Sequence, residues 1–206
     1  MDNKKLVIFD FDGVIANTHD ISFALNQKTN PHLTEELYSQ MSHGNFYASF
    51  ESENPIITFN PNPTFAEEYG KSILEIDIPP VLKEVIISLS SKYMLAICSS
   101  AFGPTIEAYL EKEGILNCFD SIFGAEIHKS KVVKLKQLLE KYKVEKESAV
   151  FITDTLGDVL EAHEVGIKSI AETWGLHTRE TLEKGKPEII IENPEDLEKV
   201  ISSILD

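Results

Sequence analysis

The chain has 206 residues, a length that suits one domain or a core domain carrying a smaller insert. Its 34 Asp and Glu outnumber its 19 Lys and Arg, and the net charge of −15 repels nucleic acid and anionic membrane surfaces while favouring solubility. Two cysteines without a CxxC pair argue against a disulfide framework, no apolar run approaches the roughly 20 residues that span a bilayer, and no leader pattern precedes the first apolar run, so a cytoplasmic protein is expected.

Leu6-Val7-Ile8-Phe9 is a short continuous apolar run rich in β-branched residues, the signature of a strand buried on both faces of a parallel sheet. Residues 17–78 break that rhythm with Pro31, Pro55, Pro61 and Pro63 and no clean buried strand. Amphipathic stretches near 18–28, 34–41 and 64–76 predict a small, mainly helical insert, because structureless loops beyond roughly 15 residues are uncommon. The chain then alternates. Leu82, Val85, Ile86 and Leu89 mark a helix, 94–97 a strand, and Gly103-Pro104 a helix start before Ile106, Tyr109 and Leu110. A weaker strand at 121–123 precedes a helix marked by Val132, Leu135, Leu138, Leu139 and Tyr142. Strands follow at 149–152, 167–170 and 189–191. The last helix is expected to start at Asn193 as N-cap and Pro194 as first residue, with Leu197, Val200, Ile201 and Ile204 on one face. Strands alternating with helices predict an α/β fold, a Rossmann-like doubly wound parallel sheet built from residues 1–16 and 79–206, with the helical insert of 17–78 placed after the first strand.

In such sheets ligands bind outside the carboxyl ends of the strands. Asp10, Asp12 and Gly13 follow the first strand, Ser99 and Ser100 the second, and Asp154 and Asp158 the strand at 149–152. Lys129 and Lys131 precede the helix between the strands near 122 and 150. Clustered carboxylates repel by about 4 kcal/mol per pair at about 4 Å and an effective dielectric of about 20. A divalent cation offsets that, and Mg2+ suits a site of few carboxylates that also receives a phosphate. Asp154 and Asp158, four residues apart, are expected on one face of a helix start. Singly, each residue has an ordinary explanation as turn, cap or solvated charge. Together, in this order and each at an element end, they point to a reaction centre.

These segments resemble the haloacid dehalogenase superfamily of phosphohydrolases along the whole chain. Asp10-Phe11-Asp12-Gly13-Val14 matches the first motif, and Leu95-Ala96-Ile97-Cys98-Ser99 the second. Phe151-Ile152-Thr153-Asp154-Thr155-Leu156-Gly157-Asp158 matches the fourth, and the insert sits where the C1 helical cap does. Trp174-Gly175 and Glu180-Thr181-Leu182 are similar to the tail of phosphoglycolate-phosphatase-like members. The third motif often has Lys-Pro before a helix. Here His128-Lys129-Ser130-Lys131-Val132 lacks the proline, and Lys131 is favoured over Lys129 by its position relative to the helix. Gly185-Lys186-Pro187 has the letters but falls after the fourth motif.

The resemblance implies a phosphoric monoester hydrolase. Asp10 is then the nucleophile that forms an aspartyl-phosphate, and Asp12 the acid and base, for which a raised pKa is expected. Ser99, Ser100 and Lys131 bind the phosphoryl group, and Mg2+ is held by Asp10, the Asp12 backbone carbonyl and Asp154. Asp158 supports the site or pairs with Lys131, and Gly13 permits a tight turn. Asp12 argues against dehalogenation, which lacks the second Asp. A mutase of the same superfamily is the alternative. It is weakened by Ser22 where that branch has His, and by Arg179 being the sole arginine, outside the insert. The insert's Lys28 is not marked as a Schiff-base lysine. A phosphorelay receiver fits poorly in motif spacing, and a non-catalytic phosphate-binding or regulatory protein is a further alternative. The expected partner is a small phosphorylated metabolite. In the insert Lys28, Lys71, His19, His32 and His43 are outnumbered by acids, so provision for a second anion is weak and phosphoglycolate lacks an evident cation. His43-Gly44-Asn45 reads as a plain turn in preference to a substrate-facing loop.

Overall fold

The computed structural model describes residues 5–47, 60 and 62–206. Pro55 and Pro61, two of the prolines that mark the insert, lie outside them. Six parallel strands form one sheet in the order β3-β2-β1-β4-β5-β6: β1 Leu6–Phe9, β2 Met94–Cys98, β3 Ser121–Phe123, β4 Ala149–Thr153, β5 Lys168–Glu172 and β6 Ile189–Ile191. Leu6 lies opposite Met94 on one side and Ala149 on the other, so β1 is central.

The continuous apolar run of β1 follows from this position, because its two faces feed two separate cores. Val7 and Phe9 pack with β2, β4 and the helices α4 (Pro80–Ser90), α5 (Gly103–Lys112) and α9 (Leu197–Leu205). Leu6 and Ile8 pack on the opposite face with α6 (Lys131–Tyr142) and α7 (Leu156–Val165). All four side chains of β1 are fully buried, worth roughly 1.5–3 kcal/mol each as apolar burial. The fold is therefore doubly wound α/β, as the sequence predicts. A short helix, α8 (Arg179–Glu183), lies between β5 and β6.

The stretch between β1 and α4 holds α1 (His19–Gln27), α2 (Glu35–Met41) and α3 (Phe65–Ser72), close to the three helical stretches expected there. A small apolar cluster of Leu33, Tyr38 and Met41 joins α1 and α2, with Phe23, Phe46 and Leu176 packed against it.

Two expectations change. Asn193 precedes a single 3-10 turn, Pro194–Asp196, and α9 starts only at Leu197 with Asp196 at its cap; the tighter turn absorbs the first residues. Asp154 and Asp158 do not share a helix face. Asp154 precedes Thr155, which caps α7 by accepting the Asp158 N–H, so only Asp158 is on the helix.

The strand order reverses between β1 and β4. That crevice is where an open α/β sheet takes its ligand, and the carboxyl ends of these two strands carry Asp10 and Asp154. Among the described residues, no helix is long and apolar enough to cross a membrane.

Candidate active site

Asp10 continues β1 by one residue, its N–H donating to the Ile152 carbonyl of β4 at 2.9 Å. Its carboxylate is then fixed from two sides. Oδ1 accepts the Phe11 N–H at 2.7 Å, and Oδ2 accepts the Lys131 ammonium at 2.7 Å. The chain turns back tightly after Phe11, with the Gly13 N–H donating to the Ala16 carbonyl at 2.8 Å. Gly13 has φ +78°, and a Cβ there would collide with the Asp154 carboxylate, so glycine is required on both counts.

Lys131 is the first residue of α6 and is 4 % exposed. Its ammonium also donates to Asp158 Oδ2 at 2.6 Å, and Thr153 donates to the same oxygen at 2.8 Å. Lys129, the other candidate, lines the cavity with its ammonium 5.5 Å from the centre of the Tyr47 ring. Lys186, in the Lys-Pro pair, is not among the residues around the site.

Asp154 is buried. Its Oδ2 accepts the Leu176 N–H at 2.8 Å, while Oδ1 has no partner. Glu172, at the end of β5, accepts the N–H groups of Trp174 and Gly175 at 2.6 and 3.1 Å.

Asp12 sits above this floor. Its Oδ1 accepts hydrogen bonds from the Tyr69 hydroxyl of α3 and from Thr18 Oγ1, the latter at 2.7 Å. Thr18 thus spends its hydroxyl on Asp12 and leaves α1 without a side-chain cap. Ser99 is fully buried; its hydroxyl lies 3.4 Å from Asp12 Oδ2 and accepts the Ala101 N–H at 3.0 Å. Ser100 lines the cavity, and its carbonyl accepts the Tyr47 hydroxyl at 2.9 Å.

The electrostatics are unbalanced. Burial pushes the Asp10 carboxyl well above the usual range; Lys131 pulls it down, and Asp158 and Asp154 push it up again. Burial likewise lifts Asp154 to about 7, against the Leu176 N–H, with Asp158 adding to the rise. At Asp158 burial also acts upward, but Lys131 and the surrounding hydrogen bonds outweigh it and hold the carboxyl below its ordinary value. Burial depresses the Lys131 ammonium, yet Asp10 and Asp158 more than compensate and keep it charged. Lys131 thus pairs directly with Asp10 and Asp158, while among the described residues no ion pair reaches the buried Asp154.

A further cation fits this deficit. Asp154 Oδ1 is a buried oxygen without a partner. Among the described residues no three His, Cys, Asp or Glu side chains form a ready-made cage. Mg2+ does not need one, since it keeps several waters and uses one or two carboxylates. Asp10, Asp154 and the Asp12 carbonyl match that requirement by donor type.

Residues 7–172 match the model of the haloacid dehalogenase-like hydrolase family, which is most of the chain. The chain belongs to this family. Among curated proteins, a phosphoglycolate phosphatase of Synechococcus elongatus is 24% identical over 98% of this chain and 99% of its own length. Among solved structures, a haloacid dehalogenase-like hydrolase from Streptococcus pneumoniae superposes with a TM-score of 0.74 at 24% identity, covering 97% of this chain and 99% of that one. A putative β-phosphoglucomutase from Thermotoga maritima gives 0.70 at 20% identity, covering 98% and 100%. At these identities the structural matches speak for the haloacid dehalogenase fold, which phosphatases and mutases share.

Sequence reasoning missed Thr18, Tyr69, Tyr47 and Glu172 as parts of this hydrolase site. Glu172 follows an apolar strand, the signal that selected Asp10 and Asp154. His43-Gly44-Asn45 does more than turn: Gly44 and Asn45 line the cavity, and Asn45 donates to Glu161 of α7 at 3.0 Å.

Proposed function

We propose that this hydrolase is a Mg2+-dependent phosphatase that cleaves a small phosphate monoester through an aspartyl-phosphate on Asp10. One observation carries the reading: a buried Asp10 carboxylate held by the Phe11 N–H and Lys131 at the floor of a cavity, in a chain of a hydrolase family. Phosphatase names among its relatives agree with it.

An Asp10 oxygen attacks phosphorus and the bond to the alcohol oxygen breaks. Asp12 gives the departing alcohol its proton. It then takes a proton from the water that attacks the aspartyl-phosphate, which releases inorganic phosphate and restores Asp10. Thr18 and Tyr69 hold the Asp12 carboxylate for both transfers. Lys131 faces the transferring phosphoryl group and stabilises its charge. Ser99, expected to bind the phosphoryl group, is fully buried and serves instead to steady the turn after β2, and Ser100, which lines the cavity, borders the phosphate position. Asp158 holds Lys131 in place. Asp10, Asp154 and the Asp12 carbonyl would hold Mg2+, which would supply positive charge beside the phosphate and favour the ionised form of Asp10. In this reading residues 17–78 form a cap over a core of 1–16 and 79–206, and the enzyme works in the cytoplasm. A mutase would need to hold a second phosphate, and no Lys or Arg between residues 17 and 78 lines the cavity among the described residues.

The test is phosphate release from 4-nitrophenyl phosphate. Asp10→Asn abolishes it while the far-ultraviolet dichroism stays native, and EDTA abolishes it reversibly. Appreciable turnover by Asp10→Asn sinks the mechanism, and indifference to chelation sinks the metal.

A further inference from the structure

The cavity above Asp10 has a volume of about 730 Å³. At about 30 Å³ per water it would hold roughly two dozen waters, far more than a phosphate and a two-carbon alcohol displace. Its floor and roof differ in character. The floor carries the carboxylates of Asp10, Asp12, Asp154, Asp158 and Glu161 and the ammonium groups of Lys129 and Lys131. The described roof residues, drawn from 18–69, include no Asp, Glu, Lys or Arg. Tyr38, Phe46, Tyr47, Phe65 and Tyr69 are among them, and Phe102 adds a ring from the core side.

These rings form connected walls. Tyr38 lies 6.4 Å from Phe46, and Phe46 lies 6.1 Å from Tyr47, both edge-on; Phe65 and Tyr69 stack at 5.6 Å. Two of the three tyrosine hydroxyls are occupied by the protein, Tyr47 by the Ser100 carbonyl and Tyr69 by Asp12. What the roof offers a ligand is ring surface with neutral Asn, Ser and Thr groups between.

For an anionic leaving group the described roof offers no ammonium or guanidinium group, and the cavity's two lysines sit on its floor. Lys131 is placed between Asp10 and Asp158, and Lys129 lies over the Tyr47 ring. The His19 ring lies between Asp20 and Glu35. A cationic leaving group would want a carboxylate on the roof, and the described roof has none.

Resting on the phosphatase reading above, we infer that the substrate is a phosphate monoester whose alcohol carries an uncharged aromatic body and no second anionic group. The ring seats between the aromatic walls, where apolar burial and edge or face contacts supply affinity, and the phosphate reaches Asp10 beneath it.

The experiment compares esters of primary alcohols, so that leaving-group reactivity does not decide the outcome: 2-phenylethyl phosphate, ethyl phosphate, phosphoglycolate and phosphocholine, each with Mg2+. We expect kcat/KM for 2-phenylethyl phosphate to exceed each of the others by roughly tenfold or more, the scale of burying one ring in an apolar site. Phe102→Ala, a change at a half-exposed position, should lower that ratio. Binding of two non-hydrolysable analogues to the Mg2+-loaded protein, 3-phenylpropylphosphonate and 3-phosphonopropionate, is read by calorimetry as an independent arm. The aromatic analogue should bind tighter. Equal or better use of phosphoglycolate or phosphocholine, with the carboxylated analogue binding as tightly, overturns the substrate inference and leaves the phosphatase reading standing. Absence of turnover on all four esters overturns the phosphatase reading, and the binding comparison then decides the ligand class alone.

Discussion

Tyr69, on the third helix after β1, donates its hydroxyl to Oδ1 of Asp12, which Thr18 also reaches. A group from the roof is thus bonded to the residue assigned to move the proton. Burial and the nearby Asp12 charge raise the Tyr69 hydroxyl well above its ordinary pKa, so it stays a donor. Tyr69→Phe removes one hydrogen bond to a charged acceptor, worth about 1.5–3 kcal/mol. We expect kcat to fall by roughly tenfold to a hundredfold, with KM for ethyl phosphate changing far less. A change confined to KM would mean that Tyr69 serves the substrate alone.

Lys131→Met should be costly to stability as well as activity. It leaves Asp10 and Asp158 buried without a counter-charge, a loss of about 3–5 kcal/mol for a broken buried pair. For a chain of this size that corresponds to a fall in Tm of roughly 10 °C or more. Acidification should recover part of it, because protonating either carboxylate removes the unpaired charge. A variant with unchanged Tm at pH 8 would show that the lysine does not neutralise this cluster.

Asp154 carries a sign that can be checked. Its pKa in the fold, about 7, lies above the ordinary 3.8. The metal-free protein therefore enjoys this group's contribution fully below about 4 and loses it as pH rises through about 7. Mg2+ competes with that proton. The Tm increase given by Mg2+ should be larger at pH 8 than at pH 6, and calorimetric affinity should weaken on the acid side. Equal Mg2+ stabilisation at both pH values would remove Asp154 from the ligand set.

Gly175, like Gly13, lies hard against Asp154. A Cβ at either position meets the carboxylate, but Gly175 is not at positive φ. Gly175→Ala thus displaces Asp154 without straining the backbone. Mg2+ affinity should drop about tenfold or more, since geometry within fractions of an ångström decides Mg2+ binding. Unchanged affinity with a native Tm would disconnect Asp154 from the metal.

The sheet was legible because burial on two faces erases alternation: Leu6 to Phe9 could hardly be anything but a central strand. Asp10, Asp154, Asp158 and Lys131 were legible because they sit at element ends, where chain order predicts convergence. Tyr69 was not. It lies on an amphipathic stretch and reads as one more core residue; only packing of α3 against α1 brings it to Asp12. Thr18 precedes α1, where a threonine would ordinarily cap the helix, and its diversion to Asp12 is a tertiary event. Glu172 could have been found by extending the strand-end rule two residues past the expected end of β5.

Gly157 has a second neighbour besides Asp158. Its N–H donates to the Ser42 carbonyl at 2.9 Å, and a Cβ there would run into the carbonyls of Ser42 and Gly44. The segment leaving α2 therefore rests directly on the first turn of α7, like a door on its jamb. A methyl group at position 157 would act as a wedge in that seam. The acidic floor would stay intact while the vestibule stood ajar, so bulk water would share the chamber with the ester and product would leave with less hindrance.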